Sequence, residues 1–198
     1  MTRSRGRPRQ YDEDLALEAA GQVFWTKGFS ATTLDDLAAA MGMNRPSIYR
    51  AFGDKEAIYR RALMQFCQGM EAAFARTMLA EDDIRKALTR FYREAVATYT
   101  AGEQPRGCMV MSTAVAAATC HAEIQADLLA IIRDLDKKMA MRLQQAIDDG
   151  QLPSSLDASG RAAIAQGLLH SLSLRARAGE TQRQLRRIIN TGVEMVVS

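Results

Sequence analysis

The feature that most constrains this chain is the close spacing of helix-starting and helix-ending residues between positions 28 and 54. Thr33 and Asn44 are suited to begin two helices, because their side-chain oxygens can accept hydrogen bonds from the unpaired amides of a first turn. Gly42 and Gly53 are suited to end them. Two short helices joined by a four-residue turn that contains glycine are typical of a helix-turn-helix.

The rest of the chain carries apolar residues at three- and four-residue steps, which predicts helices packed on a core. Aromatic residues make up only 6% of the 198 residues, so an all-β sandwich is not expected. The sequence therefore predicts an all-α protein with about nine helices. We expect a basic arm over 1–10, a helix-turn-helix domain over 11–55 and a larger helical domain over 56–198.

Motifs of catalytic sites are absent from the sequence. There is no glycine-rich phosphate loop, Cys-x-x-Cys, His-Glu-x-x-His or Gly-x-Ser-x-Gly. The two histidines, His121 and His170, lie on different predicted helices. We therefore expect no enzymatic activity, no cofactor and no metal site.

The cysteines and the hydropathy pattern bear on location. Cys67, Cys108 and Cys120 are an odd number at irregular spacing, and no secretory signal is recognisable. The longest uncharged stretch, 107–120, has 14 residues, which is too short to span a bilayer. These features predict a cytoplasmic protein with reduced thiols and no membrane partner.

The basic residues are concentrated at the N terminus. Positions 3, 5, 7 and 9 are all arginine, whereas from position 62 onward basic and acidic residues nearly balance. The run Arg5-Gly6-Arg7-Pro8 resembles the core of an AT-hook, in which arginines enter the narrow minor groove of A·T tracts. We expect Arg5 and Arg7 to contact DNA in this way; the alternative is a basic tail that adds only nonspecific affinity.

The segment that follows Gly42 has the composition of a recognition helix. Ile48 and Phe52 can hold it to its domain, while short polar and basic side chains face outward to base edges or phosphates. Arg45 and Arg50 can bind guanine with two hydrogen bonds each. The other candidates for DNA contact are Thr33, Asn44, Pro46, Ser47, Tyr49 and Lys55. The alternative is a short helix that is merely exposed to solvent.

Residues 15–60 resemble the DNA-binding domain of the TetR-type repressors. The resemblance lies in Lys-Gly-Phe-Ser-Ala-Thr-Thr-Leu-Asp-Asp-Leu-Ala and in Met-Gly-Met-Asn-Arg-Pro-Ser-Ile-Tyr-Arg-Ala-Phe-Gly-Asp-Lys-Glu. It implies a homodimer that binds a palindromic operator and is released by a small molecule held in the C-terminal domain. By position, Thr33, Tyr49 and Lys55 would contact phosphates, and Arg45, Pro46, Ser47 and Arg50 would lie nearest the bases. Many relatives have a small residue in place of Pro46, and the operator sequence does not follow from the resemblance.

Soft and aromatic residues on the later helices are candidates for an effector pocket, although methionine also fills ordinary cores. The candidates are Met64, Cys67, Met70, Phe91, Cys108, Met111 and Met139. Cys108 follows Arg106 at a predicted helix start, which could lower the pKa of its thiol. A thiol-based sensor of oxidants or electrophiles is therefore one alternative function. The other is a helical small-molecule-binding protein or enzyme with a vestigial DNA-binding head.

Apolar stripes on the last two helices predict a dimer interface. Small residues beside the stripes would let two chains approach closely and form a four-helix bundle. The candidates are Ile164, Leu168, Leu172, Ile188, Ile189 and Val193. The alternative is that both stripes close the core of a single chain.

Overall fold

The computed structural model describes residues 12–198, so the expected arm with Arg5 and Arg7 lies outside the described residues. This part of the chain contains nine α-helices and no strand, which confirms the all-α prediction. The helices are α1 (Glu13–Lys27), α2 (Leu34–Met41), α3 (Arg45–Phe52), α4 (Lys55–Phe74), α5 (Ile84–Tyr99), α6 (Val115–Ala117), α7 (Ala122–Asp148), α8 (Ala158–Arg177) and α9 (Gln182–Val197). Two π-helical segments, Ala75–Leu79 and Val110–Ala114, extend α4 and precede α6.

The chain divides into two compact units within α4. The first unit ends at Gln65 and the second comprises Phe66–Ser198, so the division falls later than the domain boundary expected after residue 55. None of the described helices is long and apolar enough to cross a membrane.

The predicted capping residues shape the first unit. The Thr33 hydroxyl accepts the Asp36 amide at 3.1 Å, and the Asp36 carboxylate accepts the Thr33 amide at 2.9 Å, which forms a capping box at the start of α2. The Asn44 side chain accepts the Ser47 amide at 2.9 Å and begins α3. Between them, Gly42 ends α2 with a φ of 60°, a left-handed conformation that favours glycine.

The core of the first unit is aromatic. The rings of Phe24 and Phe29 each lie 5.1 Å from the ring of Tyr59, in edge-to-face arrangements. Ile48 and Phe52 are buried as predicted. They anchor α3 by one face and leave its other face to solvent.

The second unit packs α5 against α8 and α9, and α8 against α7. Its core includes the buried rings of Phe74 and Phe91, whose centroids are 5.6 Å apart. The hydroxyl of buried Tyr92 donates to the Ala165 carbonyl of α8 at 2.8 Å. This bond ties α5 to α8 through the interior.

Arg142 on α7 is a charged residue inside the second unit, and only 4% of it is exposed. Its Nε donates to the Met78 carbonyl at 2.8 Å, and its Nη2 donates to the carbonyls of Glu81 and Asp82 at 2.9 Å. The buried Nη1 finds no partner among the described residues. The guanidinium therefore fastens the turn that leads from the end of α4 into α5.

Candidate nucleic-acid interface and effector region

The outer face of α3 presents most of the residues predicted to contact DNA. Arg45, Pro46 and Arg50 are exposed, as is Asn44 at the cap, and half of the Tyr49 surface is accessible. Ser47 is partly buried, and its amide donates to the Asn44 side chain. A short helix with buried apolar residues on one face and basic and hydroxyl groups on the other can enter a major groove.

The two exposed arginines of α3 differ in their surroundings. Arg45 donates from Nε to Asp35 Oδ1 at 2.8 Å and from Nη2 to Asp35 Oδ2 at 2.6 Å. Within residues 12–198, Arg50 has no ion pair and no side-chain hydrogen bond. Arg50 is therefore available to a ligand without breaking a contact, whereas Arg45 is held on one edge. The contact with Asp35, ten positions away on α2, could not be predicted from the sequence.

Thr33 is occupied by its own helix. Its amide and hydroxyl both donate to the Asp36 carboxylate, each at 2.9 Å, and Lys27 adds an ion pair to Asp36 at 2.5 Å. The hydrogen bonds from Lys27 and Thr33 lower the pKa of Asp36 to about 2. The phosphate contact expected of Thr33 would therefore compete with this cap.

Lys55 also has internal partners that the sequence did not reveal. Its ammonium donates to the carbonyls of Phe29 at 3.2 Å and Thr32 at 3.1 Å, and it lies 4.4 Å from the centre of the Phe29 ring. Two of its three donors hold the loop between α1 and α2. The expected phosphate contact would use the third.

Arg61 is a structural contributor to this surface that sequence reasoning missed. It pairs with Glu13 of α1 at 2.7 Å, donates to the Ala51 carbonyl near the end of α3 at 3.3 Å, and lies 4.8 Å from the centre of the Phe52 ring. These contacts join α4 to both α1 and α3. These contacts therefore fix the orientation of α3 from its C-terminal end.

The candidate effector residues do not all share one environment. Phe91, Cys108 and Met139 are buried, whereas Cys67, Met70 and Met111 are partly buried. Met64 is exposed and belongs to the first compact unit, whereas the other six belong to the second. The described residues contain no group of His, Cys, Asp or Glu that could hold a metal ion.

Cys108 and Tyr99 form a buried polar neighbourhood beside Cys67. The Tyr99 hydroxyl is fully buried without a well-formed hydrogen bond to any described residue, and the Cys108 thiol is its polar neighbour. Burial is also the main reason why the pKa of Tyr99 lies well above its ordinary value. A buried hydroxyl that lacks a well-formed hydrogen bond is costly inside a protein.

The expectation of a low pKa for Cys108 is wrong. Backbone amides of Val110 and Met111 act in the expected direction, but the burial of the thiol outweighs them and raises its pKa. Burial also raises the pKa of Cys67 to about 12. Both thiols therefore stay protonated at neutral pH, which does not favour the thiol-sensor alternative.

The six candidate interface residues divide into two sets. Leu172, Ile189 and Val193 are buried in the core of their own chain, which corrects their assignment to an outer face. The reason is that α8 and α9 each carry apolar residues on two sides. Ile164 is 49% exposed, and Leu168 and Ile188 are partly exposed. These three remain on an outer face.

Comparisons with known proteins agree with this arrangement. The profile of bacterial regulatory proteins of the tetR family matches residues 16–62, and that of a tetracyclin repressor-like C-terminal domain matches residues 85–191. The chain is 26% identical to the HTH-type transcriptional repressor ComR of Escherichia coli over 98% of this chain and 93% of that protein. It is also 26% identical to the HTH-type transcriptional regulator TtgR of Pseudomonas putida, over 99% and 96%.

A solved structure shares the fold over nearly the whole chain. It is a cysteine mutant of the TetR family transcriptional regulator CifR complexed with 26 bp of double-strand operator DNA. The TM-score is 0.86 at 30% identity, over 95% of this chain and 98% of that one. With profiles matching both the DNA-binding head and the helical body, the chain belongs to the TetR family of bacterial transcriptional regulators and is a DNA-binding protein rather than an enzyme.

Proposed function

We propose that this protein is a homodimeric repressor that binds a palindromic operator through α3 and leaves it when a small molecule binds the second unit. The observation that carries the proposal is the exposed face of α3, with Arg45, Tyr49 and Arg50 outward and Ile48 and Phe52 buried beneath. The operator complex of CifR, a relative with the same fold, supports it. Because its partner is DNA, we infer that the protein works in the cytoplasm.

Dimerisation through α8 and α9 is part of this proposal. Leu168 of α8 lies against Gly192 of α9, where even a methyl group would come within 2.4 Å of its Cδ2. We infer that the packed pair of helices presents one outer face, which includes the exposed Ile164 and the partly exposed Ile188. The same face on a second copy would form a four-helix bundle. The two copies of α3, about 34–36 Å apart, would then reach successive turns of the DNA major groove.

The proposed effector site lies around Tyr99, Cys108 and Cys67. Phe91 and Met139 are buried in the same unit, and the Tyr99 hydroxyl has no well-formed bond. Such a site fits a small, largely apolar molecule with one polar group. An effector releases DNA to the extent that it binds the DNA-free arrangement of the dimer more tightly.

Selection from a pool of random duplexes tests the proposal. The wild-type chain should enrich a palindrome, and the double variant Tyr49→Ala/Arg50→Ala should enrich none. Arg133→Ala is the matched control, because Arg133 is an exposed arginine of α7 without an ion pair inside the described chain. Enrichment of the same palindrome by the double variant would refute the role of α3.

A further inference from the structure

Asp35 and Arg45 form a two-bond ion pair across the turn of the helix-turn-helix. Nε and Nη2 of Arg45 donate to the two carboxylate oxygens at 2.8 and 2.6 Å. The side chains remain accessible, at 55% for Arg45 and 73% for Asp35. The pair therefore lies on the surface that α3 offers to DNA, not beneath it.

The geometry of the pair leaves Arg45 able to read a base. A guanidinium has five N–H donors, and Asp35 uses only the edge formed by Nε and Nη2. One hydrogen of Nη2 and both hydrogens of Nη1 stay unused. The outer edge formed by Nη1 and Nη2 has the two-donor spacing that matches O6 and N7 of guanine.

Holding the guanidinium in advance benefits recognition. An arginine side chain has many conformers, and fixing one of them on binding DNA costs entropy. Asp35 fixes the plane of the Arg45 guanidinium before DNA arrives, whereas Arg50 has no such partner in the described chain. A guanidinium that is held in one plane also loses more binding free energy when it faces the wrong base, because it cannot turn toward another acceptor.

The fold has little need of this ion pair. The turn is already set by Gly42, by the Met43 amide that donates to the Ala38 carbonyl at 3.1 Å, and by the Asn44 cap. Exposed ion pairs contribute little to stability. A carboxylate at this place also repels phosphates, so it weakens nonspecific DNA binding. The carboxylate of Asp35 therefore favours selectivity for a DNA sequence over stability of the fold.

We propose that Asp35 is a specificity-determining residue that orients Arg45 to read one guanine in each half of the operator. The inference rests on the proposed function, since it requires α3 to lie in a major groove. In the complex, Asp35 accepts from the inner edge of the guanidinium, and guanine accepts from the outer edge.

The test uses the palindrome enriched by the full-length wild-type chain. Duplexes that carry each of the four bases at each half-site position are titrated by fluorescence anisotropy, and Arg45→Ala identifies the position that Arg45 reads. At that position the wild type should prefer guanine by roughly tenfold or more. Asp35→Asn should reduce this preference to within about threefold, while affinity for a scrambled duplex stays equal or rises.

Two controls distinguish the orientation of Arg45 by Asp35 from a general effect of negative charge and from a structural role of Asp35. Glu18→Gln removes one exposed negative charge from α1, as Asp35→Asn does from α2, and should leave the preference intact. In an Arg45→Ala background, Asp35→Asn should change the base preference no further, because the partner that it orients is gone.

Three results would overturn the inference. The first is an unchanged guanine preference in Asp35→Asn. The second is an equal loss of affinity for all duplexes, which would make Asp35 a structural residue only. The third is an Arg45→Ala variant that keeps every base preference. Failure of the wild type to enrich any sequence would instead refute the proposed function itself, so the two failures are distinguishable.

Discussion

Removal of the buried guanidinium of Arg142 should strongly destabilise the second unit. Arg142→Met keeps the apolar stem but leaves three carbonyls, those of Met78, Glu81 and Asp82, without their donor. Hydrogen bonds from a charged donor are worth about 1.5–3 kcal/mol each. The cost of burying a cation without a carboxylate partner offsets part of that sum. We therefore expect the free energy of unfolding to fall by about 2–4 kcal/mol.

Urea unfolding followed by circular dichroism measures this change. All variants are compared at one protein concentration, because the stability of a dimer depends on it. The matched control is Arg85→Met, which removes an exposed ion pair to Glu194 and should cost less than about 1 kcal/mol. A loss for Arg142→Met no larger than that of the control would refute the view that Arg142 fastens the α4–α5 turn.

Three further predictions concern single side chains. Thr33→Ala should lower the free energy of unfolding by about 1 kcal/mol through the lost cap, and NMR titration should show the pKa of Asp36 rising from about 2 toward the ordinary 3.8. Because the pKa of Asp36 in the folded protein is lowered, its contribution to the free energy of unfolding is complete above about pH 4 and is lost as the pH falls toward 2. The difference in urea midpoint between the wild type and Thr33→Ala should therefore be larger at pH 5 than at pH 2.5. An equal difference at both pH values would contradict this. Tyr99→Phe should leave the melting temperature unchanged or raise it, since the hydroxyl has no well-formed bond, whereas Tyr92→Phe should lower it because the bond to the Ala165 carbonyl is lost. The reverse order would contradict this difference between the two hydroxyls. Ile164→Arg should convert the dimer to a monomer in sedimentation at micromolar concentration, and an unchanged mass would place the interface elsewhere.

Local features of this fold could be predicted from the sequence because their causes lie within a few residues. The caps at Thr33 and Asn44 depend on side chains that reach amides three positions away, and the glycine at 42 meets a local conformational need. The burial of Ile48 and Phe52 follows from their four-residue spacing. These are the features that identify the DNA-reading head.

Features that depend on distant neighbours could not be predicted. The partners of Lys55 lie 23 and 26 positions away, and the carbonyls that Arg142 contacts lie at least 60 positions away. The apolar repeat of α9 is visible in the sequence, but it does not show which side of the helix packs on the core and which side is left for a second chain. Ile189 and Ile188 are adjacent in sequence, yet only the former is buried.

In the proposed complex with DNA, two copies of α3 read two halves of one operator. Hydroxyl-radical footprinting of the full-length protein on its enriched duplex tests this most directly. We expect two symmetric protected patches on one face of the DNA, with centres about 10–10.5 bp apart. Both should be lost in Tyr49→Ala/Arg50→Ala and both kept in Arg133→Ala. A single patch, or protection that survives the double substitution, would contradict the binding of two copies of α3 to two half-sites.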